Sequence, residues 1–355
     1  MELSKQGLER LLATNQFSDI PNPLEWQGIK EIIRRTSPRQ EQTDFVIDPR
    51  TNEIVVYSPN RACRKENHDN PDDCPICIGN TTPVLLTKEF EDGSYCFANI
   101  NSNPFLNPDG KGLRGANFLV WPSTKHKDIH EISYEDHTVC LELIAELEYN
   151  LYTTSEFDGI PAFQKNTRKY GHVQIIKNKG KAVGGSLEHG HYQLAFINKL
   201  PRKIQQDKEF LEQRGVSFAQ YMLNENPKEL QIKDYDSAVL ITPYLMRRPL
   251  EALLIPKNTT KNYLHSNEKD ELKNLARALT DITNTLSRTM PGIGKDFAYN
   301  LVFHTGPIGT MYIEILPYTQ EEGGFEKSGL SVCQSNPRLS TEMYKRFLEK
   351  INLKL

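Results

Sequence analysis

The sequence lacks the long apolar runs and the basic bias that mark membrane-spanning and nucleic-acid-binding chains. None of its 355 residues lies in an apolar run close to the ~20 residues that a membrane span needs. Residues 1–7, Met-Glu-Leu-Ser-Lys-Gln-Gly, have no basic and then apolar signal pattern, which predicts a cytoplasmic protein. The net charge of −3 argues against nucleic-acid binding, because a nucleic-acid-binding surface is normally basic.

Cysteine is also scarce, and its 6 residues are too few and too unevenly spaced for a secreted disulfide framework. Only Cys74 and Cys77 form a compact pair. Their C-x-x-C spacing presents two thiolates to one tetrahedral zinc ion. A redox pair would be expected to open a helix after a strand in a parallel α/β pattern, which is missing here. Zinc is therefore favoured, and His126 or His130 is the candidate third ligand.

The length favours two domains or one duplicated unit. Apolar residues recur at helical spacing over residues 134–151 and 270–287, and strand-like segments flank both helices. This repeated order predicts an internal duplication. We expect a helical N-terminal extension, an N-terminal half, a linker containing a helix, and a C-terminal half, at residues 1–40, 41–200, 201–235 and 236–355 respectively.

The stretch most suggestive of chemistry covers residues 178–193, Asn-Lys-Gly-Lys-Ala-Val-Gly-Gly-Ser-Leu-Glu-His-Gly-His-Tyr-Gln. Its glycines let the backbone come close to a ligand, and a run of N–H groups there suits a phosphate. His189 and His191 come just before the strand-like residues 192–197. Residues two apart on a strand point to one face, so both imidazoles are expected in one site.

A second candidate site lies after the strand-like segments of residues 45–57, which flank a polar turn and predict a β-hairpin. Arg61 and Arg64 follow this hairpin. Two arginines at this spacing could bind an anionic ligand in a bidentate manner, and a solvated charge pair is the alternative.

Four segments, in order, resemble the galactose-1-phosphate uridylyltransferase branch of the histidine-triad superfamily, which includes ADP-glucose phosphorylases. They are the hairpin at 48–62, the zinc knuckle at 74–80, the signature at 178–193 and Gly-Gly-Phe-Glu at 323–326. The resemblance covers residues 45 to 345. It implies an α+β, duplicated histidine-triad-like fold with two mainly antiparallel sheets and flanking helices, and it also implies a homodimer.

The resemblance further implies a nucleotidyltransferase in which His191 attacks the α-phosphorus of a nucleotide sugar. The product of this step is a covalent nucleotidyl-imidazole, and Gln193 would stabilise its phosphate oxygens. A sugar 1-phosphate, or inorganic phosphate in a phosphorylase, would then accept the nucleotide. The substrate-binding residues implied in this way are Arg61, Arg64, Asn99, Asn178, Gly184, Gly185, Ser186 and Glu326.

For the metal, the resemblance implies a closed Cys₂His₂ zinc site of structural type. Its ligands would be Cys74, Cys77, His126 and His189, with His130 as an alternative to His126. Zinc binding through His189 would fix the segment that aims His191.

Some positions depart from the uridylyltransferase pattern. Gly190 replaces the usual proline between the histidines, Tyr192 replaces a small residue, and Glu188 adds a carboxylate before the metal ligand. Ile100 follows Asn99 where uridylyltransferases carry aspartate, which is closer to ADP-glucose phosphorylases. The base and the sugar therefore stay open. Alternatives are a phosphorylase of ADP-sugars or dinucleoside polyphosphates, a hydrolase, and a non-catalytic nucleotide-binding protein.

Overall fold

The structure, a computed structural model, describes residues 26–36, 44–59, 72, 74–79, 81–110, 112–153 and 171–352. The predicted anion ligands Arg61 and Arg64 lie outside the described residues, as do most of the residues in the expected N-terminal extension. No helix among the described residues is long and apolar enough to cross a membrane.

The predicted hairpin is present as a two-stranded antiparallel sheet of β1 (Asp44–Ile47) and β2 (Ile54–Tyr57). Its turn carries Asn52 at a φ of 61°, and the backbone N–H of this residue donates to the Asp48 carbonyl over 2.8 Å. Alternate side chains of the hairpin pack inward, as the period of two in a strand requires. They contact the small apolar cluster of Leu106, Leu113 and Ile197.

The remaining strands form one ten-stranded antiparallel sheet in the order β3-β4-β5-β7-β6-β11-β12-β10-β9-β8. The strands of the first half are β3 (Val84–Glu89), β4 (Tyr95–Ile100), β5 (Gly115–Trp121), β6 (His172–Lys179) and β7 (Tyr192–Ile197). Those of the second half are β8 (Gln231–Tyr235), β9 (Ala238–Ile241), β10 (Ala252–Pro256), β11 (Tyr299–His304) and β12 (Tyr312–Pro317).

This strand order is the duplication predicted from the sequence. Counted from the two edges, the halves read 3-4-5-7-6 and 8-9-10-12-11, and in each half a long helix precedes the last two strands. Antiparallel pairing of β6 with β11 joins the two five-stranded halves edge to edge. The joint places β6 and β7, which flank the histidine motif, in the middle of the sheet.

Helices cover both faces of this sheet. They are α1 (Trp26–Thr36), α2 (Tyr134–Thr153), α3 (Arg202–Arg214), α4 (Phe218–Glu225), α5 (Lys269–Gly292), α6 (Gly324–Lys327) and α7 (Pro337–Asn352). The two helices predicted from apolar spacing are α2 and α5, and their buried stripes share one core with the sheet. Each fully buried leucine in such a stripe contributes about 1.5–3 kcal/mol. The predicted α+β fold is therefore confirmed.

The segment expected to be a linker is more ordered than the sequence indicated. Residues 201–235 form α3, α4 and the edge strand β8. Ile204 and Met222 of the two helices pack on Leu253 of β10, so these helices cover the second half of the sheet on the face opposite α2 and α5.

Candidate active site

The loop between β6 and β7 is tight and depends on its glycines. Gly180 has a φ of 89° and Gly184 a φ of 84°, a region that favours glycine. The backbone N–H of Gly185 donates to the Gly180 carbonyl over 2.9 Å, and a Cβ at position 185 would lie 2.8 Å from that same oxygen. The loop therefore keeps its shape only with glycine here, and the half-buried Ser186 follows directly.

Asn178 ties this loop to the joint between the two halves. The side-chain amide of Asn300 on β11 donates to Asn178 Oδ1 over 2.7 Å and to the Val183 carbonyl over 3.2 Å. Asn178 is half-buried at the end of β6. Its side chain thus lies beside the glycine loop, where the sequence predicted a nucleotide ligand.

The structure brings Cys74, Cys77, His126 and His189 together, with their ligand atoms within 4.8 Å of one another. His126 Nδ1 lies 3.2 Å from Cys77 Sγ, and His189 Nδ1 lies 3.5 Å from Cys74 Sγ. His189 Nε2 donates to the Ser123 carbonyl over 2.9 Å, because a carbonyl can only accept. That bond leaves Nδ1 of His189 as the lone-pair nitrogen directed at the thiols, as in many metal sites.

The chemistry of this donor set fits a metal ion. Burial lowers the pKa of His126, and it lowers that of His189 to about 3, so both imidazoles are neutral and able to bind metal. Burial and the adjacent Cys74 raise the pKa of Cys77 to about 12, so the Cys77 thiol needs a bound cation to become a thiolate. Two sulfurs and two imidazoles in a closed, buried set suit tetrahedral zinc.

His130, the alternative third ligand, lies elsewhere. Its ring packs edge-on against Phe297, with centroids 4.9 Å apart, and it is not part of the Cys₂His₂ cluster. Its Nδ1 is buried without a hydrogen-bond partner among the described residues. The geometry favours His126 over His130.

His191 is buried beside the Cys₂His₂ cluster, and a backbone carbonyl orients its ring. Its Nδ1 lies 3.0 Å from the carbonyl oxygen of His189. Since that oxygen only accepts, Nδ1 carries a proton, and the neutral tautomer of this ring has its lone pair on Nε2. Strand β7 begins at Tyr192, as predicted, and the two histidines lie in the turn just before it. The strand alternation from which a common site was expected therefore does not apply to them. Backbone contacts of the turn, rather than strand alternation, aim the ring.

Trp121, which the sequence analysis did not select, contacts both imidazoles. Its ring centroid lies 5.4 Å from that of His189 and 4.9 Å from that of His191. Its indole N–H donates to Asn99 Oδ1 over 3.0 Å, and the Asn99 amide donates to Thr81 Oγ1. Asn99, predicted to bind substrate, is therefore buried and holds the indole that supports the two histidines.

Gln193 and Tyr192 point to opposite sides of β7. Gln193 is half-buried and pairs with Leu119 and Ile176 on the neighbouring strands. Tyr192 faces the helical core, where its hydroxyl lies 2.7 Å from His137 Nε2. Burial lowers the pKa of His137 to about 3, so this imidazole is neutral. The bulky residue at 192 thus fills a core position, which explains one departure from the uridylyltransferase pattern.

Glu326 caps its own segment. Its carboxylate accepts from the backbone N–H of Gly323 over 2.8 Å and from that of Val332 over 3.2 Å. These bonds lower the pKa of Glu326. The neighbouring Phe325 is 67% exposed.

A group of buried charges beneath the histidine turn was also missed by the sequence analysis. Lys177 Nζ lies 2.6 Å from Asp128 Oδ1, and Lys179 Nζ lies 2.6 Å from Glu188 Oε2. Glu188 therefore forms an ion pair and is not in the metal cluster. The alternating burial of β6 places Lys177 on the core-facing side, but no sequence signal identified its partner.

No family model matches the chain. The chain is 23% identical over 331 residues to ADP-glucose phosphorylase of Arabidopsis thaliana. This alignment covers 82% of the chain and 88% of that protein. The chain is 29% identical over 282 residues to galactose-1-phosphate uridylyltransferase of Haemophilus influenzae. This alignment covers 73% of the chain and 77% of that protein.

Solved structures show the same fold. A uridylyltransferase superposes with a TM-score of 0.69 at 17% identity, over 86% of this chain and 99% of that one. An ADP-glucose phosphorylase from Arabidopsis thaliana with bound ADP-glucose superposes with a TM-score of 0.64 at 20% identity. The superposition covers 86% of this chain and 98% of that one. The resemblance predicted from the motifs is confirmed, and the chain is a relative of the galactose-1-phosphate uridylyltransferases and of ADP-glucose phosphorylase.

Proposed function

We propose that this protein is a nucleotidyltransferase that moves a nucleoside monophosphate from a nucleotide sugar to a sugar 1-phosphate through a covalent nucleotidyl-His191. The observation that carries the proposal is the state of His191. Its Nδ1 is bonded to the His189 carbonyl, so the neutral tautomer has its lone pair on Nε2, and a glycine loop suited to phosphate lies just before it. A neutral imidazole held in one orientation is a nucleophile near pH 7.

The reaction would proceed in two displacements. In the first, the lone pair of His191 Nε2 attacks the α-phosphorus, a P–N bond forms, and the bond from the α-phosphorus to the bridging oxygen breaks. The sugar 1-phosphate leaves with that oxygen and its electron pair. In the second, a phosphate oxygen of the acceptor attacks the same phosphorus and the P–N bond breaks, which restores His191.

The chain's other residues support these displacements. The Gln193 amide, two positions beyond the nucleophile, would donate to the nonbridging phosphate oxygens, whose charge increases during attack. Backbone N–H groups near Gly184 and the Ser186 hydroxyl would bind the β-phosphate that leaves. Asn178, beside the loop, would contact the nucleotide, and Arg61 and Arg64 would bind phosphate.

The Cys₂His₂ cluster would hold zinc as a structural ion. Four protein ligands close the coordination sphere, so no position is open to substrate. Zinc bound by Cys74, Cys77, His126 and His189 would join the knuckle to the turn that ends in His191. We also propose a homodimer in the cytoplasm, by analogy with the family; light scattering coupled to size exclusion tests the dimer.

A phosphorylase that uses inorganic phosphate as acceptor is the second candidate. Two observations favour it: Ile100 follows Asn99 in place of an aspartate, and one relative matched over 331 residues is an ADP-glucose phosphorylase. The chemistry at His191 is the same in both readings. They differ only in the acceptor and in the base.

Intact-mass spectrometry after separate incubation with UDP-glucose, ADP-glucose and UDP-galactose tests the proposal. We expect a gain of one nucleoside monophosphate with at least one donor and none in a His191→Ala variant. The size of the gain also identifies the base. Zinc content and melting temperature of the variant serve as the control for folding. A zinc-containing wild-type protein that gains no mass from any donor would contradict the proposal and favour a binding role.

The acceptor is then identified by chasing the adduct. Loss of the nucleotide on addition of galactose 1-phosphate or glucose 1-phosphate supports the transferase. Loss with inorganic phosphate alone, releasing a nucleoside diphosphate, supports the phosphorylase. Loss in buffer alone indicates a hydrolase.

A further inference from the structure

The buried ion pair Lys177–Asp128 lies beneath the turn that carries the two histidines. Both side chains are 0% exposed, and Nζ lies 2.6 Å from Oδ1. The second carboxylate oxygen of Asp128 has Lys179 Nζ at 3.8 Å, and this ammonium also binds Glu188 Oε2. Asp128 comes two residues after the metal ligand His126, and Lys177 is on β6.

Stability alone does not account for such a pair. Removing two charges from water costs several kcal/mol per ion, and apolar residues of similar size often give an equally stable protein. A reason for keeping the charges at this place therefore has to come from what the two side chains contact.

Those contacts converge on the backbone of the histidine turn. Lys177 Nζ lies 3.5 Å from the His191 carbonyl oxygen, and Lys179 Nζ lies 3.5 Å from that of Glu188. Asp128 fills the space beside Gly190, where an added Cβ would lie 2.4 Å from Asp128 Oδ1 and 2.6 Å from its Cα. The N–H of Gly190 donates to the Lys127 carbonyl over 3.1 Å.

The conformation of this turn sets the direction of the reactive ring. Nδ1 of His191 is bonded to the carbonyl of His189, so a rotation of either peptide group would turn the imidazole. A glycine at 190 has no side chain to limit such rotation. Packing against Asp128 and the bond to Lys127 supply the restraint that the missing side chain cannot.

We propose that Lys177 and Asp128 are positioning residues that hold residues 188–191 in the conformation that aims Nε2 of His191. The proposal deepens the proposed function and rests on His191 being the nucleophile. It also explains why glycine, and not proline, separates the two histidines here: proline has no N–H for the bond to Lys127, and its ring would overlap Asp128.

The test is a double variant, Lys177→Met/Asp128→Leu, which replaces the pair by apolar side chains and leaves no lone buried charge. The main measurement is the single-turnover rate at which His191 is labelled by the donor that the mass experiment identifies. Zinc content, melting temperature and the donor concentration at half-saturation are measured on the same protein. We expect zinc and half-saturation to be unchanged and the labelling rate to fall by about 10–100-fold, as for supporting residues of other sites.

The matched control is Lys233→Met/Asp281→Leu, which removes a partly buried ion pair of 2.7 Å on the second half. Tyr235 also loses its bond to Asp281 there, so the control removes a second side-chain contact together with the ion pair. It should lower the melting temperature without changing the labelling rate. A Lys177→Met/Asp128→Leu protein that binds zinc and is labelled at the wild-type rate would overturn the proposal.

A second variant and a second readout cover the remaining outcomes. If the apolar double variant does not fold, Lys177→Gln/Asp128→Asn keeps polar side chains at both positions without their charges and is judged by the same rates. ¹⁵N NMR of labelled histidine reports the tautomer of His191 without any reaction. Loss of the Nδ1–H form in the variant supports the positioning role even if no donor labels the wild-type protein; a retained Nδ1–H form with an unchanged signal refutes it.

Discussion

Substitution of Gly190 by alanine tests the crowding beneath the histidine turn directly. Gly190 does not require a left-handed φ, so an alanine is opposed only by space. Its Cβ would lie 2.4 Å from Asp128 Oδ1 and 2.6 Å from Asp128 Cα, where ordinary contact begins at 3.4 Å. A carboxylate held by Lys177 and a backbone carbon cannot both move away by almost 1 Å without displacing the turn.

We expect Gly190→Ala to lose about 1–3 kcal/mol of unfolding free energy, the usual cost of overpacking. The rate at which a nucleotide sugar labels His191 should also fall, because the displaced turn carries the proposed nucleophile. Urea denaturation, zinc content and intact-mass labelling measure the three effects on the same preparation.

Gly292→Ala is the matched control. This glycine ends α5, and no heavy atom lies within 4 Å of an added Cβ. Alanine there should be neutral or stabilise by about 0.4–1 kcal/mol, since it restricts the unfolded chain. A Gly190→Ala protein with wild-type stability and labelling, beside a normal Gly292→Ala, would refute the reasoning about Asp128.

Three further predictions concern the metal, the core and the pH dependence. Cys77→Ser should lower the bound zinc well below one ion per chain. Removal of zinc by a chelator should lower both the melting temperature and the labelling of His191. Loss of zinc with full labelling would contradict this prediction. Tyr192→Phe should lower the unfolding free energy in urea by about 1–2 kcal/mol, because His137 Nε2 loses its buried partner. Zinc content and labelling should stay normal, and reduced zinc would contradict the assignment of Tyr192 to the core. Burial acts to lower the pKa of His304, but its bonds to Asp207 (2.6 Å) and Glu314 (3.1 Å) outweigh burial and raise that pKa. Lys203 and Tyr312 also bond to these two carboxylates. Its contribution is therefore present below the ordinary value of 6.5 and lost as pH rises through the raised value. The stability gap between wild type and His304→Gln should shrink as pH rises from about 6 to about 9, and a constant gap would contradict the assignment.

The features that the sequence determined by itself are local. The hairpin, the C-x-x-C pair, the helices α2 and α5 and the strands on either side of them follow from residue spacing, because a period of 2 or 3.6 residues is read along the chain without reference to any partner. The glycine loop and the two histidines were identified in the same way. Even the duplication was visible as a repeated order of elements.

Tertiary structure decided which distant residues meet. It selected His126 instead of His130 for the metal cluster, placed Trp121 against both imidazoles, and joined the two halves through β6 and β11. Asp128 and Lys177 are 49 positions apart in the chain, and neither has a neighbour in sequence that indicates the other. It also set the conformation of the turn that carries the histidines, where Gly190 packs against Asp128 and donates to the Lys127 carbonyl. Burial and close contact between segments far apart in sequence are properties of the packed chain, which is why the sequence pattern could find the two histidines but not the residues that pack against their turn.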